Sequence, residues 1–65
     1  MKPIIFLVRY RSGELRIAAR HPHNDYFAPF MRRYFPSQEE QAHRDAKALA
    51  VHLGCDYSDE VRDLL

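Results

Sequence analysis

Residues 4–20, IIFLVRYRSGELRIAAR, decide the fold of this chain of 65 residues. β-branched and aromatic side chains dominate the first half of the stretch, and residue types alternate on both sides of Ser12-Gly13. Serine and glycine are typical of a tight turn between two strands, because glycine accepts backbone angles that other residues avoid. The stretch therefore predicts an antiparallel β-hairpin.

Side chains on a strand point alternately to its two faces, so parity within each strand predicts what each face carries. If the turn is short and regular, the hairpin has one apolar and one basic face. The apolar face would carry Phe6, Val8, Tyr10, Leu15, Ile17 and Ala19, and the basic face Arg9, Arg11, Arg16 and Arg20. One extra residue in the turn would change this match between the strands.

Residues 37–53 carry the clearest helix signal. Ser37-Gln38-Glu39-Glu40 has the form of a capping box. Small and apolar side chains recur at helical spacing after it, and Gly54 predicts a left-handed cap at the end. The stripe contains Ala42, Ala46, Leu49, Ala50 and Leu53. Its alanines predict close packing on the apolar face of the hairpin.

The remaining segments complete an α+β prediction for residues 1–65 as a single domain. Residues 26–35 hold five of the eight aromatic residues and predict a loop or a single helical turn, after which a short third strand at residues 31–35 is left open. Residues 58–65 predict a short C-terminal helix capped by Ser58. The expected fold is an antiparallel β-hairpin, with the third strand left open, packed against one main α-helix plus that short helix.

Composition limits the class of protein. The single cysteine, Cys55, cannot form an internal disulfide, and no apolar run approaches the ~18 residues of a membrane span. We expect a cytoplasmic protein. The net charge of +1 hides seven basic against two acidic residues in 1–36, and three basic against seven acidic residues in 37–65. The basic half is either a binding surface or simply the electrostatic counterpart of the acidic half.

Catalysis and metal binding are not expected. No nucleophile, base and orienting group occur at a recognised spacing, and there is no glycine-rich phosphate loop. His21, His23, His52 and Cys55 are ligand types that suit zinc, but their spacing matches no zinc signature. We predict neither a metal nor a cofactor, and surface positions for the histidines.

Arginines are the candidate binding residues. Those of the hairpin could contact phosphates and guanine edges, and a two-stranded ribbon fits a major groove. Two more stand among aromatic residues, a mixture that also stacks single-stranded bases, although the aromatics could instead form the core. The candidate site for nucleic acid or another partner is Arg9, Arg11, Arg16, Arg20, Arg32 and Arg33.

The order of a hairpin, a third strand and residues 35–37, Phe-Pro-Ser, leading into a helix resembles a family of small domains. These are the three-stranded domains with one helix at the N-terminus of tyrosine recombinases. The resemblance covers residues 4–53 and implies DNA binding through the sheet.

A second hypothesis is that the chain binds protein. Small free-standing chains with one charged face are typical of phage or mobile-element inhibitors, including anti-CRISPR proteins, which occupy a surface of a larger host complex. The arginines would then meet acidic residues of that complex, or an acidic helix face would stand in for phosphates against a basic groove. That acidic face would carry Glu39, Glu40, Asp45, Asp59, Glu60 and Asp63. Homodimerisation is compatible with both hypotheses, because an uncovered sheet gains burial by pairing.

Overall fold

The computed structural model describes residues 2–64, which form a four-stranded sheet with an α-helix on one face. In chain order the elements are β1 (Ile4–Arg9), β2 (Leu15–Arg20), β3 (Phe27–Tyr34), a 3-10 turn (Pro36–Gln38), α1 (Glu39–Leu53) and β4 (Asp56–Asp63). The predicted α+β class is confirmed. The observed sheet has four strands, whereas the sequence predicted a two-stranded hairpin with a third strand left open.

The strands follow the order β3-β2-β1-β4 across the sheet, so β1 is a central strand. It runs antiparallel to β2 and parallel to β4. Four successive residues of β1, from Ile5 to Val8, have no exposed surface. A strand covered on both faces reads as a continuous apolar run, which is what the sequence has there.

The helix α1 covers one side of the sheet, here called the inner face. Its buried residues are Ala42, Ala46 and Ala50, which belong to the same core cluster as Leu7 of β1. The predicted alanine stripe is confirmed, whereas Leu53 keeps half of its surface exposed. Among residues 2–64, no helix is long and apolar enough to cross a membrane.

The hairpin is confirmed, but the predicted match of its faces is wrong. A two-residue turn would pair Arg11 with Glu14, whereas the observed register pairs Arg9 with Leu15. This shift of one residue exchanges the faces of one strand relative to the other. The inner face carries Ile5, Leu7, Arg9, Leu15, Ile17 and Ala19, and the opposite, outer face carries Phe6, Val8, Tyr10, Arg16, Ala18 and Arg20.

The connection between β1 and β2 requires glycine at residue 13. Gly13 has a φ of +91°, and a Cβ atom there would lie 2.9 Å from Cγ of Pro36. The amide of Tyr10 donates to the carbonyl of Glu14 at 2.8 Å, and that of Gly13 donates to the carbonyl of Tyr10 at 2.9 Å. The five residues from Tyr10 to Glu14 thus form the turn.

The third strand that the sequence left open is present, and it is longer than residues 31–35. β3 starts at Phe27 and pairs antiparallel with β2. It includes Pro29, which has no amide proton to donate. Such a residue is tolerated because β3 is an edge strand.

The predicted C-terminal helix is wrong, because residues 56–63 form β4 and Leu65 lies outside the described residues. Ser58 accepts a hydrogen bond from the amide of Glu60 at 3.3 Å, so the cap-like signal reflects a bond within the strand. Half-buried Val61 packs on the core beneath α1. The open second edge of β1 determines the conformation of this segment, and local sequence does not reveal that edge.

The main helix begins two residues after the expected cap. Ser37 lies in the 3-10 turn, α1 starts at Glu39, and the side-chain oxygen of Gln38 accepts the amide proton of Phe35 at 2.9 Å. Ser37 is therefore not the N-cap. The predicted end is confirmed: Gly54 has a φ of +69°, in the left-handed region.

Candidate binding surface

The outer face of the sheet has no helix over it in residues 2–64, yet its centre is buried. Phe6, Val8 and Ala18 form a cluster there without exposed surface. Half-buried side chains, among them Phe27 and Leu64, pack against this cluster. Side chains, and not a second layer of secondary structure, therefore close the outer face.

Two arginines lie against the aromatic rings of this cluster. The guanidinium carbon of Arg62 is 5.1 Å from the ring centre of Phe6, and that of Arg20 is 5.6 Å from it. Arg62 is also 5.7 Å from the ring centre of Phe27, which meets Phe6 edge to face. At such distances, a cation over an aromatic ring is attracted by the ring quadrupole. The apolar layer therefore ends in positively charged groups.

Carboxylates of the chain itself hold the arginines of β2. Arg16, 5.3 Å from the ring centre of Tyr10, donates through Nε to Glu14 at 3.0 Å. Arg20 donates through Nε and Nη2 to one oxygen of Glu60 at 3.1 and 2.8 Å. Since a guanidinium has five N–H groups, both arginines keep donors for a further acceptor.

The two arginines of β3 lie on different faces. Arg33 pairs with Arg16 across the strands, on the outer face, and its side chain is 68% exposed. Arg32 lies on the inner side, 4.0 Å from Asp45 and 5.2 Å from the ring centre of Tyr34, with a side chain that is 74% exposed. Only Arg33 adds to the basic groups of the outer face.

The remaining two predicted residues are not part of the outer face. Arg9 lies on the inner face, where it forms ion pairs with Glu39 of α1 and with Asp63 of β4, the latter at 3.5 Å. Arg11 is exposed in the turn. The prediction of one basic hairpin face is therefore wrong in its arrangement. The outer face combines Arg16, Arg20 and Arg33 with Arg62.

Sequence reasoning missed Arg62, because its segment was assigned to a helix. The signal that could have found it is the apolar run of β1. A strand buried on both faces is typical of the centre of a sheet, and residues 56–63 are one segment that could supply its second neighbour. Successive side chains of a strand point to opposite faces, and Val61 faces α1, so Arg62 lies on the outer face.

The aromatic residues of 26–35 do not form a single cluster. Tyr34 is buried, whereas Tyr26 and Phe35 are 77% and 74% exposed, and Met31 is 92% exposed. A groove of about 420 Å³ adjoins Arg33. It is lined by Ser12, Glu14, Arg33, Tyr34, Phe35 and Pro36.

Polar contacts on the inner side are structural. The hydroxyl of Tyr34 donates to Asp45 at 2.7 Å, and Gln41 donates to the other oxygen of that carboxylate at 2.8 Å. Burial and this bond raise the pKa of Tyr34 to about 12, and the same bond lowers the pKa of Asp45. Both groups keep their usual charge at neutral pH, so the pair fastens β3 to α1.

The histidines and the cysteine considered as metal ligands lie in two separate segments. His21 and His23 lie between β2 and β3 with ring centres 5.8 Å apart, whereas His52 and Cys55 lie at the end of α1. Within residues 2–64, no three His, Cys, Asp or Glu side chains are grouped so that they could hold a metal ion.

Comparisons of the chain with protein-family models, with curated proteins and with solved structures give no match.

Proposed function

We propose that this protein is a non-catalytic, cytoplasmic binding module that contacts single-stranded nucleic acid through the outer face of its sheet. The observation that carries the proposal is the apolar layer closed by guanidinium groups over aromatic rings. Splayed bases stack on aromatic rings and on guanidinium planes, and phosphates accept charge-assisted hydrogen bonds from arginine. The contacting residues are Arg16, Arg20, Arg33 and Arg62, with Arg11 at the rim.

The width of the sheet favours a single strand over a duplex. Four strands spaced ~4.8 Å apart span roughly 14 Å between the outer backbones, whereas the major groove is ~12 Å wide. β1 and β2 are the two central strands, so the hairpin does not protrude as a ribbon. A flexible strand can lie across such a face.

The charge of the face supports moderate affinity. Glu14 and Glu60 offset part of the arginine charge, and the net charge of the whole chain is only +1. If three or four phosphates are contacted, the logarithm of the affinity falls with the logarithm of salt concentration with a slope of about −2 to −3.

The test uses two arginines of equal exposure on opposite sides of the molecule. Arg33 of the outer face has a side chain that is 68% exposed and 3.9 Å from a carboxylate; Arg44 of α1 is 67% exposed and 3.8 Å from one. Fluorescence anisotropy with labelled single-stranded DNA, single-stranded RNA and duplex would compare Arg33→Glu with Arg44→Glu. Loss of a charge-assisted contact would lower the affinity of the first about tenfold and leave the second within about twofold.

Equal effects of the two substitutions would mean that only total charge matters and would contradict the proposal. So would a wild-type protein that binds none of the probes at low salt. Tighter binding of the duplex probe would mean that the outer face binds nucleic acid but that its ligand is a duplex and not a single strand.

A second candidate function is inhibition of a larger host complex by protein binding, as anti-CRISPR proteins do. The observation that favours it is the exposure of Met31 and Phe35, which flank Arg32 and Arg33 in the chain toward the end of β3. Aromatic residues, methionine and arginine are enriched in protein interfaces. A partner with a small apolar patch surrounded by carboxylates would fit this end of the sheet.

The two candidates separate in one pair of variants. Met31→Asp with Phe35→Asp would abolish capture of a protein partner from nuclease-treated lysate. Arg16→Ala with Arg20→Ala would weaken nucleic-acid binding and leave that capture intact. Capture that survives the first pair of substitutions would contradict the second candidate.

A further inference from the structure

The two edges of the sheet have open backbones and opposite charges. β3 and β4 each have eight residues, and each is paired on one side only. β3 contains Arg32 and Arg33 and no acidic residue, whereas β4 contains four acidic residues and one arginine. Its acidic residues are Asp56, Asp59, Glu60 and Asp63. Unpaired strand edges are templates for pairing with another chain.

Symmetry decides which edges can pair between copies. A two-fold axis across an edge places a strand beside its own copy, so two arginine pairs or two acidic rows would face each other. Like charges directly opposite each other on neighbouring strands are destabilising. Head-to-tail pairing places β3 of one copy beside β4 of the next and joins opposite charges.

The direction of the strands allows this arrangement. β3 runs antiparallel to β2, β2 antiparallel to β1, and β1 parallel to β4. β3 and β4 therefore run in the same direction, so copies related by a translation would pair them as parallel neighbours with all helices on one side. The register within the sheet places Arg33 level with Arg62, so the copies must also be offset along the strands by about three residues to bring Arg33 level with Asp59 of the next copy.

We propose that copies of this chain associate head to tail, with the basic edge of β3 on the acidic edge of β4 of the next copy. Charged residues that only prevent aggregation at open strand edges could have the same sign on both edges. Here the two edges carry opposite signs, which attract each other. Pro29 lacks an amide proton, so the pairing stretch is the second half of β3, where Met31 is 92% exposed. On β4, the carboxylate of Glu60 already accepts a hydrogen bond from Arg20, whereas Asp56 and Asp59 are exposed.

Sedimentation velocity of the full chain tests this from micromolar to millimolar concentration. At low salt, the average sedimentation coefficient should rise with concentration past the value of a dimer, because head-to-tail contacts do not close at two copies. The rise should shrink at high salt, which screens exposed charges.

Two charge-reversed variants make the test specific. Arg32→Glu with Arg33→Glu makes both edges acidic, and Asp56→Lys with Asp59→Lys makes both basic, so each variant alone should stay monomeric. An equimolar mixture should associate again, which also shows that both variants are folded. Reversal of Glu40 to lysine on α1, where the side chain is 92% exposed, is the control and should leave association unchanged.

Three results would overturn the proposal: a wild-type chain that stays monomeric, association that stops at the dimer, or a mixture that does not recover. The proposal does not depend on nucleic-acid binding. The variant with lysines at 56 and 59 keeps Arg33 and the other outer-face arginines, so it should still bind single-stranded probes if that function is correct.

Discussion

The two faces of the sheet are closed in different ways. On the inner face, the alanines of α1 bring a helix backbone onto the sheet, and Tyr34 fastens β3 to Asp45 of that helix. On the outer face, the side chains of Arg20 and Arg62 lie over the apolar layer. Moving a helix requires unfolding, whereas moving an arginine requires only a change of rotamer. The outer layer can therefore exchange its contacts for those of a ligand while the fold persists.

The largest effect is expected where the outer layer acts as a core. Phe6→Ala removes a ring without exposed surface, and should lower the free energy of unfolding by about 3–5 kcal/mol. Urea unfolding measures this, with Met31→Ala, at a side chain 92% exposed, as a control expected to change it by less than about 0.5 kcal/mol. Similar values for the two variants would mean that arginines do not close a core.

The inner face should have its own signature at alkaline pH. Tyr34 has a pKa of about 12 in the folded chain against the ordinary value of 10.0, so between these values the folded state holds a proton that the unfolded state has lost. Stability should therefore fall as pH rises from 10 to 12, by on the order of 2 kcal/mol.

Urea unfolding of Tyr34→Phe over that pH range provides the comparison. The variant should be less stable at neutral pH, since it loses the bond to Asp45, and should depend less on pH between 10 and 12. Some dependence should remain, because burial also raises the pKa of Tyr57. Equal slopes in the two proteins would show that Tyr34 is not anchored in this way.

Sequence patterns predicted this molecule well where structure is local. The strands of the hairpin, the alanine stripe and the cap at Gly54 follow from periodicity and backbone preference. The faces of the hairpin were not predictable, because one residue in the turn changes the register. The strand at residues 56–63 depends on the free edge of β1, a contact between distant parts of the chain. Arg62 was absent from the predicted site for the same reason, because its place on the outer face depends on the pairing of β4 with β1.

Two substitutions of Arg62 should have a smaller effect on stability and should distinguish the contribution of its packing from that of its charge. Arg62→Ala removes both the stem and the guanidinium over Phe6 and Phe27, and should lower the free energy of unfolding by about 1 kcal/mol. Arg62→Met keeps an apolar stem and should recover about half of the loss. If methionine recovers nothing in urea unfolding, the ring contact is mainly electrostatic, and the comparison with the inner face weakens.

The smallest change in stability should accompany a gain in binding. Glu60→Gln removes a carboxylate from Arg20, and the partly exposed pair stabilises the fold by less than about 1 kcal/mol. The substitution also frees the guanidinium for a phosphate, so affinity for single-stranded nucleic acid should rise and its salt slope steepen by about 0.7. Glu40→Gln removes the same charge from α1, with a side chain 92% exposed, and should leave the slope unchanged. An affinity that rises equally in both variants would show that Arg20 does not touch the ligand, and that the outer layer keeps its contacts as firmly as the inner one.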